Sequence, residues 1–534
     1  MASADFDLGT FSESGPWTIE PEALAWRRGL AGVRARLTAS LPSLTRTGTL
    51  PPVRRLGTTV RHVGGALGLW YLQERRRGGT TSIAGLSRRL RVVAERLGPT
   101  YIKLGQIIAS GDGIFPAELV AEFKWCRDQV TAEPWPVVER VLTEELGGPL
   151  SSAFASVERT PLAAASIAQV HAATLCDGTP VVVKVQRPTV SVRVRQDLAV
   201  MAWLAPHLVG RIPVAALANP PALVELFAET IVEELDFRLE AENMLDVAAT
   251  FAALAQRDFV VPRPHPTLVT RRMLVMERLD GFHFGDVAGM RAAGIDTEAV
   301  VRAGMIGFLE GALIYGIFHG DLHGGNLFVL PSGRTALLDF GITGRLTEAK
   351  RLALLSLLVG ASNGDIPVQV GALRDLGAFP ADVDVQHVID VLGLDRPPVD
   401  PTTLTADELV AEMQHSIKTL LGIGAHLPKE LMLFVKNMMF LDGAIATLAP
   451  DLDLFAEVEA IALLFAAKHG ERIMAQLGLE PVDDWAPDMA GMKAGLGLDE
   501  SAGLTHREIQ ARRAEVREKF EGRGRPGRRR RAPR

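Results

Sequence analysis

The stretch that decides the fold is His319-Gly320-Asp321-Leu322-His323-Gly324-Gly325-Asn326, followed thirteen residues after Asn326 by Asp339-Phe340-Gly341. The first segment is a glycine-rich loop that follows a helical stretch, and it places Asp321 and Asn326 five residues apart. The second segment follows Ala336-Leu337-Leu338, an apolar run typical of a strand. Each loop alone is ordinary, but the two at this spacing indicate one site.

An Asp, an Asn five residues later and a downstream Asp-Phe-Gly form the arrangement that kinases use for phosphoryl transfer. Asp321 is then the catalytic carboxylate that faces the attacking hydroxyl or water. Asn326 and Asp339 supply the hard oxygen ligands that Mg²⁺ prefers. Two other interpretations stay open: two unrelated polar loops, or a metal pair formed by His319 and His323, although glycines and the loop context argue against the helix that such a pair needs.

A lysine at the end of a predicted hairpin is the second candidate. Val181-Val182-Val183-Lys184 follows the turn Cys176-Asp177-Gly178-Thr179. Alternation along a strand puts Lys184 and Val182 on one face, and a buried lysine needs a partner. In the kinase interpretation Lys184 contacts the α- and β-phosphates and pairs with Glu240, so both join Asp321 as catalytic residues. The alternative is an exposed lysine at a strand end.

The kinase interpretation also predicts where a nucleotide lies. The phosphate loop before Val170 is rich in alanine rather than glycine, which keeps it small but restricts positive φ. Val182 and Phe328 help to form the adenine slot, and the segment 276–279 forms the hinge. The predicted nucleotide-binding residues are Ala163, Ala164, Ala165, Ser166, Val170, Val182, Lys184, Met276, Glu277, Leu279 and Phe328.

Length and composition exclude several classes of protein. The chain has 534 residues, 47% of them apolar, which suits two or three globular units and excludes a largely disordered or collagen-like chain. A net charge of −6 is not the footprint of a nucleic-acid-binding protein. The two cysteines, Cys126 and Cys176, indicate a reducing compartment. We find neither a signal peptide nor an apolar run of about 18 residues, so we expect a cytoplasmic protein.

Lysine is rare in this chain. Of 57 basic residues only 10 are lysine, at positions 103, 124, 184, 350, 418, 429, 436, 468, 493 and 519. Arginine therefore serves wherever a generic positive charge suffices. Because the two side chains differ in geometry and hydration, each lysine is a hint that the ammonium group matters.

The periodicity predicts an α+β protein with five segments. Residues 1–81 form an arm that includes a helix near 21–37 and another over 60–77, and 82–150 form a helical extension. Residues 151–285 carry short strands with inserted helices, with a strand over Thr267–Glu277. Residues 286–475 are mainly helical, and 476–534 end in a basic tail, Arg523–Arg534.

Five motifs in this order resemble the UbiB/AarF/ADCK family of atypical kinases. They are Lys103-Leu104-Gly105-Gln106, Ala163-Ala164-Ala165-Ser166, Glu234-Leu235-Asp236 with Glu240-Ala241-Glu242-Asn243, His319 to Asn326, and Asp339-Phe340-Gly341. The resemblance covers roughly residues 82–450. It implies a protein-kinase-like bilobal fold, with a small antiparallel sheet lobe, a large helical lobe and an N-terminal helical extension.

The resemblance also implies function. Family members bind ATP (or ADP) with Mg²⁺, show ATPase or small-molecule kinase behaviour, and support prenyl-quinone or related isoprenoid lipid metabolism. The Lys103–Gln106 helix is implied to fold over the active site as a regulatory latch, with Glu234 and Asp236 as its acceptors. A latch would exclude bulky protein substrates, so we expect a small or lipidic acceptor, or water, and no nucleic-acid partner.

Several positions depart from the family pattern. Gly111 and Gly113 stand where an Arg and an Asp are usual, and Val182 stands where an Ala is usual. In the catalytic loop, Gly320, Leu322 and Gly324 replace an Ala and two prolines. These changes leave the phosphate chemistry in place but bear on nucleotide preference, substrate and membrane attachment.

Two further questions stay open at this point. A loop of the form His-Gly-Asp-x-His also suits an aminoglycoside-phosphotransferase-like small-molecule kinase, and a non-catalytic nucleotide-binding scaffold is the third interpretation. Residues 60–77, with Trp70, Tyr71 and arginines at 54, 55, 61 and 75–77, together with the basic tail, suit peripheral binding to the inner face of an anionic membrane. A packing helix with a solvated tail explains the same pattern equally well.

Overall fold

A computed structural model describes residues 11, 15–46, 50–75, 79–109, 116–125, 131–208, 220–395, 419–420, 422–425, 428–478, 487–495, 503–509, 511 and 514. Its elements confirm the α+β prediction. The contacts divide the chain into two compact units. The first comprises residues 1–296, 317–344 and 435–439, and the second comprises 297–316, 345–434 and 440–534. The boundaries of these two units differ from those of the five predicted segments, so the division does not test the segments and they stay a prediction.

Helices precede and surround the sheet of the first unit. They are α1 (Leu30–Leu44), α2 (Val53–Gln73), α3 (Gly79–Leu97), α4 (Pro99–Ala109), α5 (Ala117–Phe123), α6 (Trp135–Leu146), α7 (Val190–Leu208), α8 (Pro220–Ile231), α9 (Phe237–Ala253) and α10 (Val287–Ala292). The predicted helix near 21–37 is displaced to α1, and α2 begins seven residues before the predicted start at residue 60. An ion pair between half-buried Arg55 and buried Asp197, 2.5 Å apart, joins α2 to α7.

The main sheet is antiparallel, in the order β1-β3-β4-β7-β6, with β2 paired to β3. Its strands are β1 (Phe154–Val157), β2 (Ala163–Ala164), β3 (Ala168–Leu175), β4 (Pro180–Gln186), β6 (Pro264–Val269) and β7 (Met273–Glu277). The predicted hairpin is present, and Asp177 accepts a 2.9 Å hydrogen bond from the Thr179 amide in its turn. The predicted strand Thr267–Glu277 is wrong as a single element, because β6 and β7 pair with each other around 270–272.

One face of this sheet carries the core. Val181, Val183 and Val185 of β4 are buried against Leu142 of α6 and the neighbouring strands. Because side chains alternate along a strand, Val182 and Lys184 lie on the opposite face. The packed valines therefore fix which way Lys184 projects, since a slip of one residue would move Lys184 into the core.

Two smaller sheets follow in the same unit. The first has the order β5-β11-β10-β8, formed by β5 (Phe259–Val260), β8 (Phe282–His283), β10 (Leu327–Val329) and β11 (Thr335–Leu337). The second pairs β9 (Ile317–His319) with β12 (Thr343–Arg345). The two decisive loops of the sequence connect these short strands.

The second unit is helical. Its elements are α11 (Thr297–Glu310), α12 (Glu348–Ser362), α13 (Ile366–Asp375), α14 (Val385–Leu392), α15 (Lys429–Leu448), α16 (Leu454–Leu477) and α17 (Met489–Gly495). Residues 435–439 in the middle of α15 are grouped with the first unit. Within the second unit the buried carboxylate of Glu310 contacts Lys468 and His469 at 2.7 and 2.9 Å.

Among the described residues, one helix, α15, has the length and apolarity of a membrane span. Half of that stretch is buried inside the protein, as in the core helix of a globular domain. The tail Arg523–Arg534 and the positions Gly111 and Gly113 lie outside the described residues.

The core face of the sheet yields the first prediction. Leu142→Ala should lower the free energy of unfolding by about 2–5 kcal/mol, because Leu142 is fully buried between α6 and the sheet. Leu72→Ala is the matched control, since this leucine is 75% exposed and its loss should cost less than about 0.5 kcal/mol. Urea denaturation followed by circular dichroism measures both, and equal effects would contradict the assigned packing.

Candidate functional site

The loop that carries Asp321 is held by hydrogen bonds at its start. The His319 ring donates through Nε2 to the Leu338 carbonyl (3.0 Å) and accepts through Nδ1 from the Asp321 amide (3.2 Å). Burial lowers the pKa of His319, so the ring is neutral. Since both ring nitrogens are used, His319 does not serve the alternative metal pair with His323.

The same loop explains one departure from the family pattern. The Gly320 amide donates to the Ile342 carbonyl at 2.9 Å. A Cβ on Gly320 would lie 2.8 Å from Ile342 Cγ2 and 3.1 Å from its carbonyl oxygen. A glycine therefore permits the close approach of the loop to residue 342.

Asn326 ends this loop and joins it to the second one. Its Nδ2 donates to the Asp321 carbonyl at 3.0 Å, and its own carbonyl accepts from the Leu338 amide at 2.8 Å. The amide side chain is thereby oriented through its nitrogen, and its Oδ1 has no hydrogen-bond partner among the described residues. That oxygen is the atom predicted to bind a metal.

Asp339 lies at the end of the strand that leads to the second loop. Its φ of 56° lies in the left-handed region, which Asp tolerates better than most residues but at a cost of about 1–3 kcal/mol. Its Oδ1 accepts from the Gly341 amide (3.2 Å), and Asn243 of α9 donates to the Phe340 carbonyl (2.9 Å). The strained turn is thus fixed on both sides.

Lys184 connects the sheet to this turn. Its Nζ lies 2.6 Å from Glu240 Oε1 and 2.9 Å from Asp339 Oδ1. The structure therefore brings together the predicted lysine, its predicted helix partner and the Asp-Phe-Gly aspartate. Although burial opposes both changes, the ion pairs raise the pKa of Lys184 and lower the pKa of Asp339, so both groups are charged.

Lys103 of α4 also reaches this site. Its Nζ lies 3.0 Å from Glu234 Oε1, and both side chains are nearly buried. Burial alone would lower the pKa of Lys103, but Glu234, with Asp321 and Asp339 nearby, raises it above its usual range. Gly341 leaves the space that Glu234 needs, because a Cβ there would lie 3.3 Å from Glu234 Cγ.

The structure does not bring Asp236 to Lys103, so that part of the latch prediction is wrong. Asp236 is the N-cap of α9, where it accepts from the Arg238 amide at 3.2 Å and from the Arg238 guanidinium at 2.7 and 2.9 Å. The aspartate satisfies a free amide at the helix start instead. Gln106 lies one turn after Lys103 on α4 and is half-buried.

The alanine-rich loop is anchored by an arginine. Ala163 and Ala164 form β2, and the Ala165 amide donates to the Ala168 carbonyl at 2.8 Å. Arg187 donates to the Ala165 carbonyl at 3.0 Å and to Glu133 Oε1 at 3.0 Å. Ser166 is buried rather than exposed at the loop tip. Sequence reasoning missed Arg187, which fixes the loop in place.

The strand register places the predicted adenine residues on the face that bears Lys184. Val170 lies opposite Lys184, and Val182 lies opposite Met276. Residues directly opposite share a face in antiparallel pairs. Phe328 is half-buried on β10, its ring edge-on to His283.

The predicted hinge stays a prediction, and the structure shows how Glu277 is held there. Its carboxylate accepts from the Arg263 amide at 3.2 Å and lies 3.5 Å from the Arg263 guanidinium, and its own amide donates to the Arg263 carbonyl. These bonds hold β7 against the segment before β6. The side chain and amide of Glu277 are therefore both bonded to Arg263. Leu279, two residues after the strand, is half-buried.

Two residues that the sequence analysis did not select complete the site. On α15, Lys436 Nζ bonds directly to Asp321 Oδ1. Its neighbour Asn437 is fully buried, donates to the His319 carbonyl and accepts from the Leu322 amide at 3.0 Å. The scarcity of lysine was the signal available for Lys436, since three of the ten lysines lie in this site.

The charges and donors of the site fit a divalent cation. Three lysines, 103, 184 and 436, face four carboxylates, Glu234, Glu240, Asp321 and Asp339, which leaves one formal negative charge for a cation to balance. No group of three or more His, Cys, Asp or Glu in the described chain is placed to hold a metal. Mg²⁺ typically needs only one or two carboxylates, because nucleotide phosphates and water complete its shell.

Comparison with known proteins agrees with this geometry. Residues 126–368 match the ABC1 atypical kinase-like domain. An uncharacterized aarF domain-containing protein kinase from Arabidopsis thaliana chloroplasts is 31% identical over 398 residues, which is 69% of this chain and 73% of that protein. The chain belongs to the ABC1/AarF/UbiB family of atypical kinase-like proteins. The predicted family and the kinase-like α+β fold are confirmed.

Other proteins are similar to this chain over much of its length. An uncharacterized protein of Mycobacterium tuberculosis is 36% identical over 373 residues, covering 66% of this chain and 73% of that one. A probable protein kinase UbiB of Aliivibrio fischeri is 29% identical over 389 residues, covering 72% and 71%. Among solved structures, a Mycobacterium tuberculosis protein in complex with erythromycin matches with a TM-score of 0.36 and 23% identity, over 61% of this chain and 89% of that one.

The pairing of Lys103 yields the second prediction. A double-mutant cycle on Lys103→Met and Glu234→Gln should give a coupling of about 0.5–3 kcal/mol in the free energy of unfolding, because the two charges touch. Lys103→Met with Asp236→Asn is the matched control and should couple by less than about 0.5 kcal/mol. Chemical denaturation measures both, and a stronger coupling to Asp236 would contradict the assignment.

Proposed function

We propose that this ABC1/AarF/UbiB protein is an ATP-dependent atypical kinase or ATPase. The observation that carries the proposal is the position of Lys184, whose ammonium contacts both Glu240 and Asp339. A buried lysine paired with a helix glutamate, next to an Asp-Phe-Gly aspartate, is the arrangement that orients nucleotide phosphates in kinases. The kinase-like family gives the same class of activity.

Each group of the site has a role in this proposal. Lys184 contacts the α- and β-phosphates, and Glu240 holds it in position. Asn326 and Asp339 hold Mg²⁺, which neutralises negative charge on the phosphates when it is bound. Asp321 accepts a hydrogen bond from the attacking hydroxyl or water and orients it toward the terminal phosphoryl group.

In this proposal the adenine ring lies against the face of the sheet that bears Lys184. Val170, Val182 and Met276 line one side, and Phe328 with Leu279 provides the other apolar surfaces. The alanine-rich loop, residues 163–166, lies over the phosphates. Val182 is larger than the alanine usual in this family, so the slot is narrower, which bears on the choice between ATP and ADP and other nucleotides.

The contact of Lys103 favours a small acceptor. The α4 helix brings its lysine to Glu234 in the same cluster of charges. In the proposed function, α4 occupies space that a protein substrate would need. We propose that the acceptor is a small or lipidic molecule, or water, in line with the link to prenyl-quinone or other isoprenoid lipids that the family resemblance implies. A comparison of isoprenoid lipids between a deletion strain and its parent would test that link.

The same contact weighs against the second enzyme class. An aminoglycoside-phosphotransferase-like kinase shares the loop from His319 to Asn326 but not the Lys103–Glu234 pair. A non-catalytic scaffold would have no need to orient Asp321. In this chain Asn326 bonds to the backbone carbonyl of Asp321, and Lys436 bonds to its carboxylate.

The metal assignment yields the third prediction. Asp339→Asn should weaken Mg-ATP binding by at least about tenfold, because it removes a charged ligand, while the thermal unfolding midpoint stays within a few degrees. Isothermal titration calorimetry measures the affinity. The matched control is Asp365→Asn, an exposed N-cap of α13.

Wild-type protein should also release phosphate from ATP, and its failure both to bind and to hydrolyse Mg-ATP would reject the proposed function.

The membrane proposal needs correction before it is tested. Trp70 is buried, and its Nε1 donates to the Ser82 carbonyl at 3.0 Å, so it is a packing residue and not an interfacial one. Arg55 forms an ion pair with Asp197 and so does not face a membrane. The remaining outward face of α2 still carries exposed apolar side chains, Leu69, Tyr71 and Leu72, beside exposed Arg54 and Arg61.

We therefore propose that this outward face of α2 contacts an anionic membrane surface from the cytoplasmic side. Vesicles with 30% anionic lipid should float more of the wild-type protein than neutral vesicles do, since arginines and apolar side chains both favour that surface. Leu72→Glu should remove most of the difference, whereas Leu162→Glu, an exposed leucine elsewhere, should not. Equal flotation with both kinds of vesicle would contradict the proposal.

A further inference from the structure

We propose that Lys436 is the positioning residue for the catalytic carboxylate of Asp321. The inference rests on the proposed function and adds to it a residue from outside the matched domain. The match ends at residue 368, and Lys436 lies on α15. The ammonium group holds one oxygen of Asp321, and the second oxygen is left to receive the attacking hydroxyl or water.

The contact is direct and largely shielded from water. Lys436 Nζ bonds to Asp321 Oδ1, and the two side chains are 14% and 15% exposed. In the described part of the chain, this ammonium is the hydrogen-bond donor to that carboxylate. A carboxylate this far from water is costly unless it is paired, and Lys436 supplies that partner.

The helix also fixes the backbone that carries Asp321. Asn437, the next residue, donates to the His319 carbonyl and accepts from the Leu322 amide, and so spans the aspartate from one side to the other. Asn326 bonds to the carbonyl of Asp321 from within the loop. Two consecutive residues of one helix thus set the position of the loop and the orientation of its carboxylate separately.

The chemistry of the loop explains why a cation must come from elsewhere. The segment from His319 to Asn326 contains no lysine or arginine, and His319 is neutral. Each carboxylate oxygen has two lone pairs, so the ammonium on Oδ1 leaves Oδ2 with its full capacity to accept a hydrogen bond from the attacking group.

The choice of lysine also supports this role. The chain uses 47 arginines among its 57 basic residues, and arginine would bind both carboxylate oxygens in a fork. Lysine, as a compact charge, binds one oxygen and leaves the other open. A purely structural ion pair would carry no such requirement.

The test compares turnover with binding. Lys436→Met should lower kcat for ATP hydrolysis by about 100-fold, with KM changed less than about threefold, because orientation of the base is lost while the phosphate contacts remain. Lys436→Arg should restore the urea midpoint but recover less than about tenfold of the lost kcat, since it restores the charge while its fork occupies both carboxylate oxygens. Lys350→Met is the matched control, because this lysine pairs with Glu430 at 2.8 Å in the second unit and should leave kcat unchanged.

Two kinetic results would overturn the proposal. An unchanged kcat in Lys436→Met would show that Asp321 needs no partner. A rise in KM without loss of kcat would show that Lys436 contacts the nucleotide and not the Asp321 carboxylate.

Unfolding supplies a readout that does not depend on activity. Lys436→Met should lower the urea midpoint, and adding Asp321→Asn in the same chain should restore part of the loss, because the stranded charge is removed. No recovery would contradict the pairing. If wild-type protein neither binds nor hydrolyses Mg-ATP but the recovery is seen, the proposed function fails while the Lys436–Asp321 pair stands.

Discussion

A single ammonium group, that of Lys184, is the constraint on which the site depends. It pairs with both Glu240 from α9 and Asp339 from the second loop, two carboxylates that would otherwise repel each other at close range. The buried valines of β4 point Lys184 at this spot, because the register of the sheet leaves it no other face. The left-handed backbone at Asp339 is maintained by the same contact and by the Asn243 bond to the following carbonyl.

Two more lysines, from other parts of the chain, also pair with carboxylates of the site. Lys103 pairs with Glu234 and Lys436 pairs with Asp321, so three lysines from α4, β4 and α15 serve the four carboxylates of the site. Lys103 and Lys436 each contact one carboxylate oxygen, and Lys184 contacts one oxygen of each of its two partners. The site therefore keeps open carboxylate and amide oxygens with an overall deficit of positive charge, which is what a metal-dependent phosphoryl-transfer site requires.

Much of this arrangement could be predicted from the sequence where local motifs carry the geometry. The spacing of Asp321, Asn326 and Asp339, and the hairpin that ends in Lys184, both describe short segments whose backbone is set by their own residues. Lys436 could not be selected in that way, because a helix of ordinary composition brings it back to the loop more than a hundred residues later. Trp70 was misassigned for a related reason, since an amphipathic helix that packs and one that lies on a membrane show the same pattern.

An experimental structure with Mg²⁺ and a non-hydrolysable ATP analogue tests the central claim most directly. We predict that the phosphates contact Lys184, that the metal is bound by Asn326 and Asp339, and that Asp321 faces the terminal phosphate while it keeps its bond to Lys436. A nucleotide bound away from Lys184, or a metal with neither Asn326 nor Asp339 among its ligands, would contradict the account.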